Sequence, residues 1–340
     1  MSIEDIGKLA QNCVEHHPVV VLGSGASVPH GIRGMGDLTR VLEDNLVSEG
    51  QEENDTWRLI RTALANGDSL EEALQTTPAP ASLVQKIVEH TWLTIAADDL
   101  ALLQRAAEGE EAFPLSDLIR GLFKSTNNTI HIVTPNYDRV AEYAADLADY
   151  IHATGFVPGF IRRREGADTI TVRKGSYTAR IVRIWKVHGS LDWFEDAQGQ
   201  VVSLPLSDTL PAGFSPLIVT PGISKYKRTH DEPFRSAIHG ADAALSRANA
   251  VLCIGYGFRD WHIQPKLVER CRQKTVPIVV LARTLTEEAK DFLQTNAGTA
   301  YLAMERCIDG TRVYTHDFPD GAVIEEQKLW LFSEFNRLVF

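Results

Sequence analysis

The chain has 340 residues, 44% of them hydrophobic, which is enough to bury one large core or two smaller ones. A formal charge of −11 excludes a general attraction to nucleic acid or to anionic membranes, and neither partner is expected. The four cysteines, Cys13, Cys253, Cys271 and Cys307, stand far apart with no Cys-x-x-Cys pair, which excludes a cysteine zinc ribbon and argues against a disulfide framework.

The opening residues are polar, with Glu4 and Asp5, and do not read as a signal peptide. No apolar run is long enough to span a bilayer, so cytoplasmic residence is expected. Residues 3 to 17 carry Ile3, Ile6, Leu9, Ala10 and Val14 at helical spacing, and His16, His17 and Pro18 end the helix. The run Val19-Val20-Val21-Leu22 then reads as a buried strand and breaks into Gly23-Ser24-Gly25-Ala26-Ser27. Such a turn either lets backbone N–H groups approach a phosphate or is a plain tight turn. The full G-x-G-x-x-G spacing is absent, because position 28 is Val. Gly31, Gly34 and Gly36 follow in a loop, and Asp37 is expected to cap a helix with Leu38, Val41, Leu42 and Leu46. From about Trp57 to Phe123 the pattern stays helical, broken at Pro78 and Pro80. Residues 37–125 therefore form a helical insertion between the first and second strands.

Thr129 to Thr134 is the second strand and runs into Pro135-Asn136-Tyr137-Asp138 and a helix with Val140, Tyr143, Ala144 and Leu147. Tyr150 to His152 is a third, short strand. Residues 160–180 are irregular, and the run Arg162-Arg163-Arg164 reads as a solvated face in preference to an anion site. Ile181 to Val187 is a strand ending at His188-Gly189-Ser190-Leu191-Asp192-Trp193. Further strands are Leu217 to Thr220 before Pro221-Gly222, Ala250 to Ile254 before Gly255-Tyr256-Gly257, and Pro277 to Ala282. Beyond Thr311 come one strand and a helix with Leu329, Leu331, Phe332, Phe335 and Leu338, so residues 286–340 are expected to pack on the core or on a second subunit.

Strands alternating with helices predict a single α/β domain over residues 1–340, a Rossmann-like parallel sheet with helices on both faces. In such a sheet the carboxyl ends of the strands share one edge, where ligands bind. Four strands here end in residues with chemical use: Gly-Ser-Gly, Thr-Pro-Asn-Tyr-Asp, His-Gly-Ser and Gly-Tyr-Gly. Asn136 offers an uncharged amide that can place a water or a sugar hydroxyl, or it caps the following helix, a role Asp138 can also fill. Histidine is the side chain whose unperturbed pKa lies near neutrality, so His188 can serve as a general base, or it is a core histidine bonded to a carbonyl, with Gly189 leaving room beside it. Asp192 and Trp193 either shape that wall or pack. The Gly255 turn is either a second phosphate or ribose contact or an ordinary β-to-α turn.

The ordered set Gly-Ser-Gly-Ala-Ser, Gly31-Ile32, Thr-Pro-Asn-Tyr-Asp and His-Gly resembles the sirtuins, whose pattern is GAG-x-S, GIP, TQN-[IV]-D and HG. It is most similar to the divergent sirtuin-like domains of bacterial antiviral defence systems, which carry HGS-[IL]-DW and a Gly-Tyr turn followed by Asp-x-His-Ile, here Asp260-Trp261-His262-Ile263. The resemblance covers roughly residues 18 to 285 and matches the insertion poorly. It implies an NAD+ site in which Gly23, Ser24, Gly25, Ala26 and Ser27 cradle the pyrophosphate. Asn136 would contact the nicotinamide ribose and place the attacking water, Asp138 would hold the carboxamide, His188 would be the base, and Gly255 and Tyr256 would lie near the adenosine half. The four zinc cysteines of the deacylases are missing, Arg33 to Gly36 replace the GIP-D-F-R continuation, and Pro135 and Tyr137 replace the usual Gln and aliphatic residue. The resemblance thus implies an NAD+ hydrolase that uses NAD+ as substrate, needs no metal, and acts in defence by depleting NAD+. Its control is expected to come from homo-oligomer assembly or from a HerA-type ATPase or Argonaute-like partner. A zinc-free deacylase or ADP-ribosyltransferase and a non-catalytic NAD+ or ADP-ribose sensor are the competing readings.

Overall fold

A computed structural model describes residues 1–165, 170–220, 231–273 and 275–340. Helix α1 (Ile3–Glu15) starts at a capping box, in which the Ser2 hydroxyl accepts from the Asp5 amide and the Asp5 carboxylate accepts from the Ser2 amide. Strand β1 (Val19–Leu22) is buried at every residue and feeds a single turn, α2 (Ser24–Ser27). The chain then stays helical through α3 (Met35–Asn45), α4 (Gly50–Ala65), α5 (Leu70–Thr76), α6 (Ala81–Glu108) and α7 (Pro114–Leu122). Next come β2 (Thr129–Thr134), α8 (Val140–Leu147), β3 (Ile151–Ala153) and the short strands β4 (Arg162–Arg163), β5 (Arg173–Lys174) and β6 (Tyr177–Thr178). Strands β7 (Ile181–Lys186), β8 (Gly189–Asp196), β9 (Val201–Ser203) and β10 (Phe214–Ile218) follow. The last third holds α9 (Phe234–Ser246), β11 (Val251–Ile254), α10 (Gln264–Gln273), β12 (Ile278–Ala282) and α11 (Glu287–Thr295). It ends with β13 (Tyr301–Cys307), β14 (Gly310–Thr315), β15 (Phe318–Glu325) and α12 (Phe332–Val339).

The main sheet has nine strands in the order β15-β14-β13-β12-β11-β1-β2-β7-β3, parallel from β13 to β3, with β14 and β15 antiparallel at one edge. Both faces are covered, and β1 alternates between them: Val20 and Leu22 point into the core beneath α1, α7, α8 and α12, while Val19 and Val21 point into the core beneath α9, α10 and α11. Burial on both sides is why the parallel strands read as unbroken apolar runs. The α/β class and the all-helical stretch between β1 and β2 are as the sequence predicts. No helix among the described residues is long and apolar enough to cross a membrane.

Several local expectations are corrected. The N-cap of α3 is Gly34, and Asp37 sits in its first turn. His188 does not end in an open loop: the chain continues directly into β8, which belongs to a second, antiparallel sheet ordered β10-β8-β9-β4. The strand expected at 217–220 is part of β10 in that second sheet, not in the parallel one, and Pro221-Gly222 lies outside the described residues. Period-two patterning cannot say which sheet a strand joins. Arg162 and Arg164 do not belong to a solvated face, whereas Arg163 is exposed: Arg162 Nη2 lies 2.7 Å from the buried Asp192, and Arg164 Nε lies 3.5 Å from Glu232. Within residues 160–180, β4 to β6 replace the expected irregular stretch, and residues 166–169 are outside the description. The tail from about Thr311 holds two strands, β14 and β15, where one was expected, and α12 packs on α1 and α7, with Asn336 Nδ2 donating to Pro114 O at 2.7 Å.

Helix α6 spans 28 residues and joins two cores. Near its start, Leu83 and Ile87 pack with Trp57, Ile60, Leu70 and Leu74 in a separate small core. Further along, Trp92, Ile95, Ala96 and Leu102 enter the main core, and Trp92 Nε1 donates to Leu191 O at 2.8 Å.

Candidate active site at the carboxyl edge of the sheet

The run β11-β1-β2-β7 is contiguous, so the loops after these four parallel strands are neighbours on one edge. The β1 and β11 loops interlock. Gly23 N donates to Ile254 O at 3.0 Å, and Gly25 N donates to Gly255 O at 3.1 Å. A Cβ on Gly23 would fall 2.3 Å from Gly255 O, and one on Gly255, held at φ +58°, would fall 2.3 Å from the Gly25 carbonyl carbon. These glycines are therefore required by backbone against backbone, whatever else they approach. Ser24 and Gly25 are exposed at the edge, Ala26 is half-buried and Ser27 is buried.

Asn136 is drawn into this loop. Its Nδ2 donates to Gly23 O at 2.9 Å and to Ser27 Oγ at 3.0 Å, while its amide donates to Thr134 Oγ1 at 3.0 Å. Thr134 Oγ1 in turn donates to Leu22 O at 2.9 Å. Both ends of β2 and β1 are thus tied, and the Asn136 carbonyl oxygen is the part of the amide not used in these bonds. Asp138 is buried and accepts from Val140 N at 3.1 Å, so it starts α8 as a local cap, and it also hydrogen-bonds Ser27. Burial raises its carboxyl above the ordinary value, against the opposing charge of Lys186. Lys186 is fully buried; its Nζ donates to Asp138 O and, at 3.0 Å, to Glu142 Oε1.

The helical insertion holds the same loop from outside. Asp99 on α6 is fully buried and accepts four hydrogen bonds: from Arg139 N at 2.7 Å, Nε at 3.0 Å and Nη2 at 2.9 Å, and from Tyr143 OH at 2.5 Å. Its neighbour Asp98 accepts from Arg33 N at 3.0 Å. One helix therefore fixes the loops after β1, β2 and β7, the last through Trp92.

His188 sits at the junction of β7 and β8, almost buried. Its Nε2 lies 2.9 Å from Asp260 Oδ2, a charge contact whose angle falls short of a well-aligned hydrogen bond. Its Nδ1 has no hydrogen bond to a described residue. Asp260 is itself held, with Oδ1 accepting from His262 N at 2.9 Å and Ile263 N at 3.1 Å. Burial alone would raise the Asp260 carboxyl; the facing His188 and the nearby His262 outweigh it and hold the group far below the usual carboxylate range. Gly189 does not make room for the histidine ring. It adopts φ +87°, and a Cβ there would meet Leu217 O at 2.0 Å, so the glycine serves the turn from β7 into β8 and its approach to β10. Asp192 belongs to the second sheet, where it binds Ser190 Oγ at 2.5 Å, Ser203 Oγ at 2.7 Å and Arg162. The Tyr256 side chain turns into the core, 4.9 Å between ring centroids from Phe258, so at this position it is the backbone that stays at the edge.

Sequence reading brought Gly23 to Ser27, Asn136, Asp138, His188 and Gly255 to one edge; the bonds above join the β1 turn to Asn136, Asp138 and Gly255, whereas His188, at the end of the next strand, contacts Asp260 and none of these. It missed Asp99, Arg139 and the pairing of Asp260 with His188. The available signal was the pair Asp98-Asp99 within the apolar run of α6, since acids rarely enter such a face without partners. Chemically, the edge combines a glycine turn, an anchored amide and an imidazole that faces a carboxylate through Nε2 and has no Nδ1 partner among the described residues. No group of three or more His, Cys, Asp or Glu among the described residues is arranged to hold a metal.

No curated protein matches the chain. Solved structures similar to it include a Sir2 homologue mutant with 2′-O-acetyl ADP ribose, at 13% identity and a TM-score of 0.49, covering 100% of this chain and 96% of that one. Another is a Sir2 mutant with p53 peptide and NAD, at 13% identity and a TM-score of 0.44, covering 100% and 97%. A third, Sir2 with p53 peptide and NAD+, has 13% identity and a TM-score of 0.40, covering 84% and 89%. Residues 130–297, from β2 through the turn after α11 and including Asn136, Asp138, His188, Gly255 and Asp260, match the family model described as SIR2-like domain.

Proposed function

We propose that the chain is an NAD+ glycohydrolase that cleaves the nicotinamide–ribose bond. The observation that carries this reading is the shared edge. The β1 glycine turn, Asn136 and His188 lie on neighbouring loops after parallel strands, with Asn136 bonded directly to the turn. The SIR2-like match over residues 130–297 supports NAD+ as the ligand.

In this reading the exposed Ser24-Gly25 backbone receives the pyrophosphate, and the Asn136 carbonyl oxygen faces the nicotinamide ribose and a water. The C1′–N bond breaks with its electron pair going to the ring, so nicotinamide leaves neutral from a cationic pyridinium and C1′ becomes oxocarbenium-like. Water oxygen bonds C1′ and its proton passes to His188 Nδ1. The products are nicotinamide, ADP-ribose and a proton. The protein's task is to desolvate and orient, since the leaving group needs no protonation. Asp260, engaging Nε2, is a positioning residue that leaves Nδ1 as the acceptor.

Purified protein is incubated with NAD+ and products are resolved by mass spectrometry. The expected products are nicotinamide and ADP-ribose without any acyl substrate, and Asn136→Ala and His188→Ala each abolish them while remaining folded. Appearance of an O-acyl ADP-ribose only when an acyl-lysine peptide is added would replace the hydrolase by a deacylase. We further place this activity in antiphage defence through NAD+ depletion, switched by homo-oligomer assembly or by a HerA-type ATPase or Argonaute-like partner. An NAD+ hydrolase that is constitutively active would be toxic to its own cell.

A further inference from the structure

The opposite edge of the same sheet holds a cavity of about 600 Å3, large enough for a nucleotide-sized ligand. It opens at the amino ends of β1, β2 and β7 and is walled by α9. Arg183 and Arg247 line it together with the imidazoles of His17, His131 and His239, and no carboxylate lines it among the described residues, in a chain whose net charge is −11. On α9, His239 and Arg247 lie two turns apart on one face, separated by Gly240, Ala243 and Ala244, so the helix presents an imidazole and a guanidinium with a small-residue floor between them. Gly240 is fixed by packing, since a Cβ there would fall 2.1 Å from the Trp185 ring. Trp185 Nε1 donates to His131 Nδ1 at 3.1 Å and holds that imidazole in the wall.

The Arg247 side chain is exposed at the rim and has no hydrogen bond or ion pair among the described residues, so its guanidinium fork is open to a bidentate oxyanion. Asp242, on the same helix, stands in the field of Lys266 and His239 but is not part of the wall. Arg247 is also the C-cap of α9, where a cation relieves the helix dipole. That role concerns Arg247 alone and does not account for His239 two turns earlier in the same wall.

We propose that this cavity is a second binding site, for an organic phosphate of nucleotide size, with its phosphate between Arg247 and His239 and its apolar part against the alanine floor and Trp185. It is separate from the carboxyl-edge site and does not depend on the reading of that site.

The test is hydrogen–deuterium exchange of the full chain with AMP, with ADP-ribose and with inorganic phosphate, alongside calorimetry. Saturable binding of AMP or ADP-ribose should protect residues 17–19, 127–131 and 239–249. Arg247→Glu should weaken it at least 10-fold and Arg247→Lys should weaken it less, both on a protein that unfolds at an unchanged midpoint within a few degrees. The proposal is overturned if none of the three probes protects these segments. It is equally overturned if protection appears only at residues 23–27 and 136–138, or if Arg247→Glu lowers stability while binding is unchanged, which is the helix-cap role alone.

Discussion

Replacing Asp99 by Ala removes the acceptor of four hydrogen bonds and leaves the Arg139 guanidinium, 13% exposed, without its counter-charge. Breaking a buried pair from one side costs about 3–5 kcal/mol, because the surviving charge stays desolvated. Arg139→Ala strands a carboxylate that is fully buried and should cost a similar amount. The double variant strands neither charge, so its loss should fall about 2–3 kcal/mol short of the sum of the single losses, within the range expected for residues in one network. Denaturant unfolding of the four proteins of the cycle measures this. The functional arm is NAD+ turnover at a temperature where all four are folded. The pair positions the loop bearing Asn136, so each single variant should lose turnover out of proportion to its unfolded fraction. Additive stability losses would refute the argument that the pair acts as one unit. Full turnover in folded Asp99→Ala would refute the claim that the insertion positions the site.

Gly255→Ala places a Cβ 2.3 Å from the Gly25 carbonyl carbon in a left-handed backbone. Strain and overpacking together should cost about 2–4 kcal/mol, and NAD+ binding should fall more than binding of AMP at the opposite edge, by calorimetry. Asp260→Asn keeps the shape beside His188 but not the charge, so kcat should fall at least 10-fold with little change in KM; a change confined to KM would remove Asp260 as a positioning residue. Asp192 sits below its ordinary value because Arg162, Arg139, Ser190 and Lys186 outweigh its burial. A carboxyl lowered by folding stabilises the native state fully above the unfolded value of 3.8 and loses that contribution as pH falls toward the folded value. Urea midpoints of Asp192→Asn should therefore change less between pH 5 and pH 2.5 than those of the native chain. Burial pushes the Cys13 thiol up to about 12 and Cys271 to about 11 and raises Cys253 well above its ordinary value, whereas Cys307 is partly exposed. Iodoacetamide at pH 8 should label Cys307 first, with the other three labelled only on unfolding, as peptide mapping would report.

The buried strands and the carboxyl-edge loops were legible because their signals are local: an apolar run long enough for one strand, then Gly, Asn or His at its end. The convergence of Gly23, Asn136, His188 and Gly255 followed from parallel topology alone. What stayed hidden depends on contacts distant in sequence. Asp99 meets Arg139 only after α6 has crossed the sheet, and nothing near residue 99 names that partner. His188-Gly189-Ser190 reads as an open strand end because the sharp turn into β8 leaves no mark except one glycine. Strand β10 has the apolar character of a core strand on either sheet, so its place beside β8 is decided by tertiary pairing. The Arg162 to Arg164 run reads as solvated until Asp192 and Glu232 arrive from residues far along the chain.

The pairing of β1 with β11 also sets when the site can exist during synthesis. Val19 pairs with Val251 and the Gly25 turn is closed by Gly255, so the turn's partner leaves the ribosome roughly 230 residues later. At a synthesis rate of about 5–20 residues per second this interval is roughly ten to fifty seconds. Throughout it the nascent chain carries the glycine turn, and in its later part also Asn136 and His188, without the strand that clamps the turn. A growing chain thus lacks the backbone clamp on the glycine turn, and a message cut short before residue 255 yields a protein that never acquires it.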